Sequence, residues 1–208
     1  MTADIKAPDS KIARDAEELA RTVSNDMLFN HVMRCYWFGE FFARKQGVKV
    51  DSELMCFCRR CSTTSALLPR CRGRIASRLK APARPGKFLV DNGVSADRAQ
   101  KVWDNIALHT WDINLFRDDT SRMMELGVLY DVLGVPDAGL DADDVVKVVR
   151  RYPRLKFKTA FNDTLNRELD AKQLYPHVFH ICSTIAHNRA PLRMPDAPTV
   201  LNMAPFDE

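Results

Sequence analysis

The residues of this 208-residue chain that could do chemistry are its six cysteines, its five histidines and one aspartate set among apolar neighbours. Cys56, Cys58, Cys61 and Cys71 form the densest group, and four thiols at short spacing can close a structural zinc knuckle. Their spacing, C-x-C-x-x-C, then nine residues, then C, is not that of paired C-x-x-C knuckles, which argues against one. The same stretch, Cys56 to Gly86, carries eight Lys or Arg and no acidic residue. A nucleic-acid surface would interleave aromatic side chains for base stacking, and Phe57 alone is in reach, so a solvated loop is expected instead. His31 and Arg34 lie one turn apart in a strongly helical segment. An imidazole on an apolar face is either satisfied by a backbone carbonyl or ligates a metal. Arg34 would hold a polar substrate or pair with a carboxylate. Asp131 sits with Met124, Gly127, Val128 and Val132, where a buried carboxylate needs a hydrogen-bonding partner on another helix or a cation. His177, His180 and His187 are explained by a surface position.

The elements that must place these groups read as helices. Asp9, Ser10 or Asp15 caps a first one carrying Ile12, Ala16, Leu19, Ala20 and Val23 at helical spacing, punctuated by Ser24 to Asp26. Met27 to Gln46 follows, with Leu28, His31, Val32, Cys35, Phe38, Phe41 and Phe42 on a broad apolar stripe ending at Gly47. Asp51 caps the next helix. Between Pro69 and Gly86 no period survives, and an irregular segment is expected near 58–86. Order resumes at Lys87, with Asn92-Gly93 as a C-cap. Ser95 begins a helix that turns Ala99, Val102, Trp103, Ile106 and Ala107 inward and reaches His109. A loop is expected from Trp111 to Asp119, then helices over Ser121–Leu133 and Asp141–Arg151, one marked by Phe157, Phe161, Leu165 and Leu169, and a last one over Pro176–Ala186. No strand pair or repeat is evident. The fold class expected is all-α, a single domain with its core at about 25–170 and an extended tail over 191–208.

Charge argues against a nucleic-acid partner. The formal net charge of +4 becomes −4 once the eight basic residues of Cys56 to Gly86 are set aside. The first ten residues contain neither an apolar signal core nor a membrane span, so a soluble cytoplasmic protein without a membrane partner is expected.

Five stretches together resemble a known family: Asn30 to Gly39 (NHVMRCYWFG), Asp51 to Leu54 (DSEL), Trp103 to Thr110 (WDNIALHT), Asp131 to Gly134 (DVLG) and Tyr152 to Lys158 (YPRLKFK). In order and spacing they look like the cyanamide-hydratase-like branch of the HD-domain metalloproteins. The resemblance implies an all-α HD-domain bundle with a divalent metal, zinc or iron, and a metal-dependent hydrolase or hydro-lyase acting on a cyanamide-like or nitrile-like small molecule, with homo-oligomers open. It assigns His31 and Asp131 as metal ligands and places His109 beside the metal or in its shell, so that His109, assisting proton transfer, and Arg34, read above from its own position, are the catalytic candidates. The family's central His-Asp pair, in a run reading roughly Leu-Leu-His-Asp-Leu-Gly, falls here on Cys61-Ser62-Thr63-Thr64-Ser65-Ala66-Leu67-Leu68 and is absent. Encoded as TCC ACG ACC TCG GCC, Ser62 to Ala66 read with a displaced frame give CAC GAC CTC GGC, or His-Asp-Leu-Gly. A pair of compensating frame changes between about Met55 and Gly86 is therefore expected, leaving the written chain impaired. The alternatives are a non-catalytic relic without metal, or a zinc- or nucleic-acid-binding module through the Cys/Arg-rich segment.

Overall fold

The computed structural model describes residues 8–58, 89–108, 112–134 and 139–172, apart from the side chains of Leu19, Val23 and 168–172. Among the described residues every regular element is helical. The all-α expectation is met. Residue contacts divide the chain into two compact units, Met1–Asn162 and Asp163–Glu208. The site lies within the first, and the described part of the second is a helical stretch ending at Lys172. The irregular segment, Cys61, Cys71, His109 and everything expected beyond Lys172 fall outside the described residues.

Helix α1, Lys11–Val23, starts where Ser10 accepts the Ala13 amide, one of the donors that a helix start leaves without a partner. Helix α2, Asp26–Gln46, is capped by Asn25 and ends on Gly47 at φ 65, a left-handed turn that glycine enters without a Cβ penalty. Sixteen of its residues are buried, on every side of the helix, and this places α2 at the centre of the bundle. Residues 52–58 are the described part of α3, capped by the Asp51 carboxylate on the Leu54 amide, and 89–91 the described part of α4.

Helix α5, Ala96–Leu108, buries Ala99, Val102, Asn105 and Ile106. Trp103 and Ala107, expected inside, face outward, and Trp103 is 37 % exposed. Positions 99, 102 and 106 make one stripe; 103 and 107 lie about a quarter-turn beyond it. The expected loop after Trp111 instead contains a 3₁₀ helix, Asp112–Phe116, before Asp118 caps α6, Asp119–Leu133. Helix α7 is Ala142–Arg151, with Asp141 accepting two amides at its start, and α8 is Phe157–Lys172.

The main seam is α2 against α6. A Cβ on Gly127 would overlap the Cys35 carbonyl and come within 2.8 Å of the Gly39 nitrogen; one on Gly39 would lie 2.8 Å from the Met123 carbonyl oxygen. Glycine at both positions lets the two backbones approach closely enough for short side chains to meet across them. No helix among the described residues is long and apolar enough to cross a membrane.

Candidate metal centre

One turn of α2 and the last turn of α6 bring His31 and Asp131 together. His31 Nδ1 and Asp131 Oδ2 are 2.7 Å apart, and both residues are buried. Arg34, fully buried one turn from His31, donates from Nε to Oδ1 at 2.7 Å and from Nη2 to Oδ2 at 2.9 Å. Such a two-pronged guanidinium–carboxylate pair fixes orientation as well as charge. The remaining Arg34 nitrogen donates to the carbonyls of Tyr152 and Pro153 at 3.0 and 3.2 Å. Of the two roles open to Arg34 in the sequence, the one seen here is pairing with a carboxylate.

A second arginine reaches the same carboxylate. Arg154 Nη1 donates to Asp131 Oδ1 at 2.9 Å and to the Asp131 carbonyl at 3.1 Å. The turn delivering it places two non-glycine residues, Leu155 at φ 49 and Lys156 at φ 57, in the left-handed region, where each costs roughly 1–2 kcal/mol. That strain is held by anchors on either side: Arg154 on Asp131, and Phe157 stacked on the His31 ring with centroids 4.7 Å apart. Phe161 closes on His31 at 5.5 Å, and the Arg34 and Arg154 guanidiniums lie 5.4 and 4.9 Å from the Phe157 centroid.

Burial by itself pushes the Asp131 carboxyl up. The hydrogen bonds and charges of His31 and Arg34 outweigh it and hold the group below the ordinary carboxylate value. Asp131 is therefore an anion. Its four lone-pair positions are taken by Arg34 twice, Arg154 once and His31 once.

Sequence reasoning gave no role to Arg154, although Tyr152 to Lys158 stood out as a motif. It also counted Cys35 among the apolar residues of α2. Cys35 Sγ lies 3.5 Å from His31 Nδ1, and one atom each from His31, Cys35 and Asp131 fall within 4.8 Å of one another, all in buried residues. The four-residue spacing of His31 and Cys35 was the available signal, since i and i+4 share a helix face.

As donors for the divalent ion of an HD-type centre, His31 and Asp131 fit in type. They are two where a catalytic ion ordinarily takes three protein ligands. The ion could enter between them only in place of the hydrogen now shared by Nδ1 and Oδ2, and Asp131 already answers two guanidinium charges. This pair alone does not hold a catalytic metal. No family model matches the chain, and a search of curated proteins returns no match.

Proposed function

We propose that the chain keeps the framework of an HD-type metal-dependent hydrolase or hydratase of small molecules, and that in its written form it is a non-catalytic version of that framework. The observation that carries this reading is convergence. His31 and Asp131 are 100 positions apart in the sequence and meet at 2.7 Å. Three of the five stretches that resemble the family, around His31, Asp131 and Tyr152 to Lys158, end on that one carboxylate. The Asn30 amide adds a further link to the Pro153 carbonyl at 2.9 Å.

In an intact member the ion would supply an activated water and polarise a nitrile-like or amide-like substrate. His31 and Asp131 are the residues of this chain that would help hold it. Arg34 would keep the Asp131 carboxylate turned toward His31, and His109 would move the proton. With the His-Asp pair missing from the sequence between Met55 and Lys87, the written chain lacks the ligands to complete that set. A cytoplasmic protein with a small-molecule partner is the setting this reading implies.

The test begins with the coding DNA across Met55 to Lys87. A displaced frame spelling His-Asp-Leu-Gly is expected, and a chain translated from that frame should bind one divalent ion and hydrate cyanamide, with phosphomonoesters and nucleotides as controls. The written chain should give no hydration above background. Shifted codons that spell no such pair, or hydration by the written chain, would overturn the reading.

A further inference from the structure

We propose that the turn joining α7 to α8 is a latched lid over the His31–Asp131 pair, with Arg154 as the latch and the first turn of α8 as the cover. The lid follows from the contacts of the turn itself, not from the HD-type reading, and the two can fail separately.

The turn has a pinned end and a releasable one. Its start is tied to α2: Arg34 donates to the carbonyls of Tyr152 and Pro153 at 3.0 and 3.2 Å, and Asn30 donates to that of Pro153 at 2.9 Å. Beyond Pro153, Arg154 holds Asp131 through one nitrogen, Nη1. Arg34 is fully buried and grips both oxygens of the carboxylate, whereas the Arg154 side chain is 33 % exposed. Water can therefore replace Asp131 on Arg154 while Arg34 keeps the buried anion paired. Of the two arginines, Arg154 is the one that can let go.

Release is favoured by the backbone and tolerated by the core. Leu155 and Lys156 hold left-handed angles that residues with a Cβ disfavour, and an opened turn sheds that strain. Phe157, stacked on His31, packs with Met27 and Leu28 in a small cluster separate from the main core, with Phe161 against it. Lifting the start of α8 opens that cluster and leaves the main one closed. The movement bares a face of the His31 ring, which is 6 % exposed with the lid shut, and frees one lone-pair position of Asp131. A shut lid keeps a small polar molecule from the pair; an open one admits it.

The test is the rate at which diethyl pyrocarbonate modifies His31 in the full chain at fixed pH, read by peptide mass spectrometry. Where opening is rapid and reversible, that rate follows the open population. It should be nearly flat in low urea, because the opened turn exposes little surface. Arg154→Gln should raise it by about tenfold, the size expected for losing a hydrogen bond to a charged group, and Arg154→Lys should fall between. Leu155→Gly/Lys156→Gly takes the strain out of the closed turn and should lower the rate by about threefold or more. A rate that climbs with urea from the first addition, one unchanged in Arg154→Gln, or one not lowered by the two glycines would each overturn the lid. If Arg154→Gln does not fold, the double-glycine variant, which leaves Arg154 and Phe157 in place, decides the matter with the urea series. Coding DNA that spells no His-Asp pair would leave these rates untouched, and a failed lid would leave the frame test standing.

Discussion

Two carboxylates in this protein are gripped by an arginine fork, and they show how differently the same contact acts inside and at the surface. Asp131 takes Nε and Nη2 of Arg34 with both side chains fully buried. Asp51 takes Nε and Nη2 of Arg98 at 2.8 and 2.9 Å, with the side chains 33 % and 37 % exposed and Glu53 sharing the guanidinium. The geometries are nearly equal. At Asp51 water can replace a lost partner; at Asp131 nothing can, so each member depends on the others remaining charged and in place.

The largest effect is expected from Asp131→Ala. It leaves Arg34 charged and buried without its anion, a loss of about 3–5 kcal/mol by chemical denaturation. A smaller drop, similar to that at Asp51, would show that water reaches Arg34 and would break the contrast. Gly127→Ala comes next. The new methyl meets the Cys35 carbonyl, which is backbone and cannot rotate away, and overpacking of this kind costs about 1–3 kcal/mol.

Acid sharpens the comparison further. Asp131 and Asp51 both have their carboxyls held below the ordinary value of 3.8: in each, burial raises it, and arginine hydrogen bonds, with His31 at Asp131 and the Leu54 amide at Asp51, more than reverse the rise. A depressed folded value means that the stabilisation is fully present above 3.8 and is lost as pH falls from there through the folded value. Stability measured from neutral pH downward should therefore decline on the acid side. Asp131→Asn should flatten that decline more than Asp51→Asn; equal flattening would mean that burial makes no difference. The smallest change is expected for Arg98→Ala, about 0.2–1 kcal/mol, reduced further by salt.

Much of the helical layout was legible from particular residues. Ser10, Asn25, Asp51, Asp118 and Asp141 each accept amides at a helix start, because a short polar side chain in extended backbone reaches donors that the helix itself leaves unpaired. Asp51 and Asp141 were read from the sequence as helix starts, and Ser10 was one of three candidates there, beside Asp9 and Asp15. Gly47 as a terminator was equally plain. The pairing of Asp51 with Arg98 was not, since nothing local joins positions 47 residues apart. Trp103 was misplaced because an aromatic side chain suggests a core, while its angular position on α5 sets it beside the buried stripe and not on it. The 3₁₀ turn at Asp112–Phe116 has too few residues for a period to register.

By itself the sequence determined the helices, the centrality of α2 and the presence of a histidine and an aspartate on apolar faces, because periodicity and capping are properties of neighbouring residues. Only the tertiary structure decided that Arg34, Arg154, His31 and Cys35 gather around one carboxylate. That gathering depends on how closely α2 and α6 approach at Gly39 and Gly127 and on a left-handed turn at Leu155 and Lys156, and both are set by contacts between segments about 100 positions apart.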